Sequence, residues 1–303
     1  MSRTKSSPAT AALQSETAIE VRRVTANGLS FQVVLAGPAE GPLVILLHGF
    51  PEFGYGWRKQ IAPLAALGLR VAVPDQRGYA LSDKPPNIRD YLLDTLADDV
   101  VAIGAALGHE RFSVVGHDWG GIVAWQLAAR EPARIARAAI LNAPHAGTLL
   151  RHALWHPTQF LRSAYVGFFQ LPGVPELSLR ANDYAMLAAA LTHSSLPGTF
   201  TDEDLRAYRQ AWSQQGALTS MLNWYRAMPA ATPCRERIAC PVQVIWGDKD
   251  SALDKGLAER AAAECDDARV THVAGATHWV HHEKPELVNK LLCDFLAPLV
   301  AGP

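Results

Sequence analysis

Apolar positions along the chain follow two alternating rhythms. A continuous apolar run at Leu43–Leu47 reads as a strand buried on both faces, as do the runs at Arg70–Pro74 and Phe112–Gly116, and Ile135–Leu141, Val242–Trp246 and Arg269–Val273 follow as further strands. Two earlier segments, Ala18–Val24 and Phe31–Leu35, read as strands meeting through a turn at Asn27-Gly28. Between the later runs, apolar residues recur at helical spacing over Trp57–Ala66, Thr95–Leu107, Ile122–Arg130, Asp254–Glu264 and Pro285–Leu296. Strand–helix alternation of this kind predicts an α/β fold, a mostly parallel central sheet flanked by helices.

The alternation stops between residues 146 and 232. That stretch predicts helices only, over Pro157–Phe169, Ser178–Thr192, Asp202–Ser213 and Leu218–Met228, punctuated by Pro172, Pro175, Pro197 and Pro229. It holds 11 of the chain's 24 aromatic residues, so it is expected to form an all-helical lid over an apolar pocket. The expected organisation is a disordered tail over residues 1–17, a core from residues 18–145 and 233–303, and an inserted cap from 146–232.

Composition narrows the function. The chain is 49% hydrophobic and 19% charged with a net charge of −1, a globular mixture with no field for nucleic acid or an anionic membrane. No apolar stretch is long enough to span a bilayer, and the polar start lacks a secretory h-region, so a cytoplasmic protein is expected. Cys234, Cys240, Cys265 and Cys293 form no C-x-x-C pair. His152 and His156 lie four apart, but neither a zincin glutamate nor a third ligand accompanies them, so no metal is expected. No glycine-rich phosphate loop occurs, so no cofactor is expected.

The chemistry centres on Gly116-His117-Asp118-Trp119-Gly120-Gly121, between a buried strand and a helix. A tight strand-to-helix turn exposes one side chain, and glycines on either side let the backbone pass. That side chain is Asp118. A carboxylate is ionised at neutral pH, and the helix amides favour its charge. It can attack an sp³ carbon and form an ester, which must then be hydrolysed. The backbone N–H groups of Phe50, in His48-Gly49-Phe50-Pro51, and of Trp119 would hold the oxyanion. His278, in the loop after the last strand, is the expected base. His281 and His282 read as solvated residues near a helix start. Asp250 is expected to orient the base, with Asp248 as its rival.

With these motifs in view, the sequence resembles the α/β-hydrolase-fold epoxide hydrolases of the soluble, cap-bearing kind. The resemblance is carried by HGFPE (His48–Glu52), DQRGY (Asp75–Tyr79), GHDWGG (Gly116–Gly121), LNAPH (Leu141–His145), FFQLPGVPE (Phe168–Glu176), LNWYR (Leu222–Arg226), WGDKD (Trp246–Asp250) and GATHW (Gly275–Trp279). The family grips the epoxide oxygen with two lid tyrosines, which the resemblance assigns to Tyr165 and Tyr225. The other lid tyrosines, Tyr184 and Tyr208, read as packing residues with exposed hydroxyls. His48, Pro51, Trp119, Phe168 and Trp224 are expected to contact substrate. Ala80 and Ala146 depart from the family pattern without touching an assigned role.

The resemblance implies conversion of an epoxide to a vicinal diol through an aspartyl ester. The expected partners are a small-molecule epoxide and water, with a homodimer left open. Haloalkane or haloacid dehalogenases are the nearest rivals. The fluoroacetate type carries arginines where Trp119 and Ile122 stand, and the haloalkane type often has an asparagine where Phe50 stands. A non-catalytic ligand-binding protein on the same fold is the remaining alternative.

Overall fold

The computed structural model describes residues 19–149, 164–232, 234 and 236–301. The tail expected over residues 1–17, His152 and His156, and the first part of the Pro157–Phe169 helix lie outside the described residues.

Eight strands form one sheet: β1 (Glu20–Ala26), β2 (Leu29–Ala36), β3 (Leu43–Leu47), β4 (Arg70–Pro74), β5 (Phe112–His117), β6 (Ile135–Leu141), β7 (Val242–Gly247) and β8 (Ala268–Val273), in the spatial order β1-β2-β4-β3-β5-β6-β7-β8. β1 and β2 pair antiparallel with Ala26 opposite Leu29, and β2 pairs antiparallel with β4. All pairings from β4 to β8 are parallel. The two residues between β1 and β2, Asn27 (φ 45°) and Gly28 (φ 75°), both take positive φ, which a two-residue turn needs to follow the strands' twist.

The helices in chain order are α1 (Arg58–Ala66), α2 (Leu93–Ala106), α3 (Trp119–Arg130), α4 (Ala164–Phe169), α5 (Val174–His193), α6 (Asp202–Trp212), α7 (Ala217–Ala227), α8 (Leu257–Ala262), α9 (Val280–Glu283) and α10 (Pro285–Leu296). Every residue of β3 is buried. Its alternation sends Leu43, Ile45 and Leu47 to the face covered by α2, α3 and α8, and Val44 and Leu46 to the face covered by α1 and α10. This double burial is why the central strands read as apolar runs, whereas β8, at the sheet edge, is partly exposed and carries Arg269, Thr271 and His272.

Between β6 and β7 the described residues form α4–α7 and short connections, with no strand. α5 is broken where Asn182, Asp183 and Tyr184 adopt left-handed dihedrals. The aromatic side chains of these helices extend the same apolar core that fills the α2/α3 face. No described helix is long and apolar enough to cross a membrane.

Predicted and observed elements differ mainly at their ends. α3 begins at Trp119, three residues before the predicted Ile122, because glycines dilute the apolar pattern of its first turn. α8 is shorter than predicted, and α9 was not anticipated.

Candidate active site

The loops at the carboxyl ends of β3, β5, β7 and β8 converge on Asp118. Asp118 caps β5 with φ 51° and ψ −123°, a strained backbone that lifts its side chain clear of the strand–helix turn. Only glycine fits beside it. A Cβ on Gly120 would lie 2.1 Å from the Leu47 carbonyl, and one on Gly49 2.3 Å from Asp118 Oδ1.

The Phe50 N–H donates to Asp118 Oδ1 at 2.7 Å. Trp119 is the first residue of α3, where backbone N–H groups lack partners within the helix. Asp118 Oδ2 faces His278 Nε2 at 3.6 Å, and His278 Nδ1 pairs with Asp250 Oδ2 at 2.8 Å. Burial alone would lower the His278 pKa, but the charges of Asp250 and Asp118 outweigh it and lift the imidazole to about 10. Burial would likewise raise Asp250, yet His278 and the hydrogen bonds to its carboxylate hold it below the usual carboxylate value.

Asp250 is held from three further directions. Asn142 Nδ2 donates to Oδ2 at 2.8 Å, and the N–H groups of Ala252 and Leu253 donate to Oδ1 at 2.8 and 3.0 Å. Asn142 also accepts the Gly247 N–H at 3.0 Å, which ties the end of β6 to that of β7. The rival Asp248 instead accepts the Gly275 N–H at 2.8 Å, bracing the loop before His278.

On the cap side, Tyr165 of α4 and Tyr225 of α7 stand edge to face with ring centroids 5.8 Å apart, and the Asp118 charge acts on both phenols. Phe50, Trp119 and Phe169 surround the Tyr225 ring at 5.2, 5.2 and 5.0 Å. Desolvation, the neighbouring Tyr165 and the Asp118 charge push the Tyr225 phenol well above its ordinary value. Tyr165 is 42% exposed, and it too is raised, by desolvation and by Asp118. Both phenols therefore keep their protons at neutral pH.

The remaining expected contacts fall in different places. Trp224 stands edge-on to Trp119 at 5.7 Å and donates its indole N–H to the Arg77 carbonyl at 3.0 Å. Pro51 is buried, and its carbonyl accepts the Trp212 indole N–H at 2.6 Å, joining the β3 loop to α6. The His48 ring turns into the core, where Nε2 accepts the Gln76 N–H at 3.0 Å, so it braces the loop rather than facing a ligand. Phe168 packs against Phe169, and Phe169 is the residue that reaches Phe50 and Tyr225. A cavity of about 320 Å³ adjoins Trp119 on the side of Ile122, Leu149 and Met228, and its described lining includes no charged side chain.

Three expectations are corrected. His281 and His282 are not solvated: both are fully buried on α9, packed round the carboxylate of Glu52. The Tyr208 hydroxyl is not exposed either, since it donates to Glu52 Oε1 at 2.6 Å. Sequence reasoning also passed over Asn142, Phe169 and Glu52, although all three lie in the recognised motifs. The bare motif did not say what each one touches.

Comparison with known proteins agrees with this architecture. Residues 42–285 match the family described as alpha/beta hydrolase fold. The chain is 45% identical over 282 residues to the AB hydrolase superfamily protein YfhM of Bacillus subtilis, covering 92% of this chain and 98% of that protein. It is 37% identical to human epoxide hydrolase 4, covering 90% of this chain and 77% of the relative. Among solved structures, a Bacillus megaterium epoxide hydrolase in complex with an inhibitor superposes with a TM-score of 0.83 at 28% identity, covering 91% of this chain and 99% of that one.

Proposed function

The chain belongs to the epoxide hydrolases of the α/β-hydrolase fold, and from that premise we propose that it converts an apolar epoxide to a vicinal diol in two steps centred on Asp118. The observation that carries the reading is the pair of cap phenols, Tyr165 and Tyr225, packed edge to face, with Tyr225 against Phe50 and Trp119, the residues that flank the Asp118 carboxylate.

In the first step Asp118 Oδ2 attacks a ring carbon and the carbon–oxygen bond on that carbon breaks. The developing alkoxide is held by the two phenol O–H groups and takes a proton from one of them; the phenolate left behind then regains a proton from the His278 imidazolium through solvent, which leaves the imidazole neutral. Oδ1 already sits in the oxyanion hole, so it becomes the ester carbonyl oxygen, and Oδ2 is left for the attack. In the second step water attacks Asp118 Cγ while His278 Nε2 takes its proton. The oxyanion on Oδ1 is held by the N–H groups of Phe50 and Trp119. Collapse breaks the Cγ–Oδ2 bond, the leaving oxygen takes the proton of the newly added hydroxyl, and the diol departs with Oδ2 as the carboxylate and the imidazolium are regenerated.

The same electrostatics order the steps. With Asp118 and Asp250 both anionic, His278 is an imidazolium, unable to act as a base. Alkylation makes Asp118 neutral and removes one of the two charges that lift the imidazole. Its pKa falls, and the base becomes available when there is an ester to hydrolyse. The uncharged described lining beside Trp119 and Ile122 suits an apolar substituent rather than a carboxylate, against a haloacid substrate.

The test is the intact mass of the His278→Gln variant after exposure to epoxides and haloalkanes. A gain equal to a whole epoxide is expected. A gain equal to a haloalkane less hydrogen halide would make the protein a dehalogenase, and no adduct would favour a binding protein.

A further inference from the structure

Behind His278, on the side away from Asp118, lies a buried polar cluster that the proposed reaction does not use. Glu52 follows the β3 loop, His117 ends β5, and His281 and His282 lie on α9; all four side chains are at most 1% exposed. The hydrogen bonds around them determine their tautomers. His117 Nε2 lies 2.9 Å from the His278 carbonyl, which can only accept, so Nε2 carries a proton and Nδ1 is the atom left to offer a lone pair. Arg58 can only donate, and it reaches His282 Nδ1 at 3.3 Å, so His282 Nε2 carries the proton and donates to Glu52 Oε1 at 2.7 Å. Tyr208 donates to the same oxygen at 2.6 Å.

Glu52 Oε1 is thus satisfied twice, whereas Oε2 has no hydrogen-bond partner. Neither do His117 Nδ1 and His281 Nε2, each 3.4 Å from Oε2. The three atoms all lie within 4.8 Å of one another. Three unpartnered buried atoms gathered this closely need an explanation, because a buried polar group left without a partner is costly.

We propose that Glu52, His117 and His281 are the ligands of a single divalent transition-metal ion of the zinc type. The donor set is one carboxylate and two imidazoles, the hard-to-borderline mixture such ions take. The two distances to Glu52 Oε2, both 3.4 Å, match the separation of about 3.3–3.4 Å that a tetrahedral ion with bonds of about 2.0–2.1 Å imposes on its ligand atoms. Two of the three ligands already have outer-shell partners, while His281 Nδ1 has none. His117 donates its other N–H to a backbone carbonyl, and the second oxygen of Glu52 takes two hydrogen bonds, the arrangement that orients ligands in metal sites. The charge also suits a cation, because the cluster holds one carboxylate and the nearby Arg58 guanidinium is bound to Asp204 at 2.8 Å. The ion would join the β3 loop, the end of β5 and α9, three segments that surround His278.

The experiment uses the full chain, stripped with chelator and then incubated with Co²⁺ until uptake ceases, since a buried site loads slowly. One Co²⁺ per chain with visible d–d absorption of tetrahedral intensity is expected, displaced by Zn²⁺ in competition with a chromophoric chelator. His281→Gln should weaken binding by about 100-fold or more while leaving the metal-free melting temperature nearly unchanged. If that variant does not fold, Glu52→Gln decides by the same readout. Wild-type protein that takes up no Co²⁺ overturns the proposal; the orphan oxygen would then be satisfied by a second proton on His117. Equal binding by wild type and variant also overturns it, and loss of binding in His272→Gln would move the ion to the surface pair of His272 and Glu259.

Discussion

The backbone N–H of Phe50 donates to Asp118 Oδ1 at 2.7 Å. A donor suited to an oxyanion is therefore in place before any substrate arrives, and it distinguishes the two carboxylate oxygens. Oδ1 is committed to the backbone, and Oδ2 faces His278.

That distinction predicts the fate of oxygen. In a single turnover in ¹⁸O-labelled water, the label should appear on Asp118 and not in the diol, because the diol leaves with Oδ2. Mass analysis of the peptide containing Asp118 checks this. Label in the diol after one turnover would mean direct attack by water on the epoxide.

The two phenols should be separable. Tyr225→Phe and Tyr165→Phe should each slow ester formation by about 10²–10³, the usual loss for one oxyanion donor, and the double variant should show no measurable ring opening. Rapid-quench measurement of the ester reads this step alone. An unimpaired double variant would remove the tyrosines from the reaction.

Asp250→Asn should slow ester hydrolysis by on the order of 10³–10⁴ by favouring the wrong imidazole tautomer, so that ester accumulates. Asp248→Asn, which alters only the brace to Gly275, should change this step by a few-fold at most. The reverse ranking would exchange their roles.

The two half-reactions should respond differently to pH. Ester formation does not need neutral His278 and should stay flat through neutral pH. Ester hydrolysis needs neutral His278, whose fraction grows as pH rises. Its rate should therefore climb with pH and level off below pH about 10, because the ester has removed the Asp118 charge that helped lift the imidazole that far. Stopped-flow rates of the separate steps check the direction; hydrolysis that falls with rising pH would exclude His278 as the base.

Gly49→Ala should inactivate the protein with little unfolding. Its Cβ would meet Asp118 Oδ1 at 2.3 Å, so the carboxylate must leave the Phe50 N–H. Overpacking of this kind destabilises by about 1–3 kcal/mol. Circular dichroism and ester formation, measured together, separate the two effects.

Local chemistry along the chain was enough to announce the sheet, the helices and the order Asp118, Asp250, His278. Strands buried on both faces must be apolar throughout, a turn that passes between strand and helix must use glycine, and both leave marks a few residues long. The relations that join distant segments left no such mark. Asp248 and Asp250 sit on one loop, and only packing brings Asp250 rather than Asp248 to His278 at 2.8 Å, with Asn142 of the β6 end closing on it. His281 and His282 lie beside charged neighbours in sequence, which reads as surface. Folding α9 under the cap instead turns both rings onto Glu52 and brings the Tyr208 hydroxyl to the same carboxylate. A buried polar group is satisfied by whatever the tertiary structure carries to it, so its partners are decided by three-dimensional closure and not by neighbours along the chain.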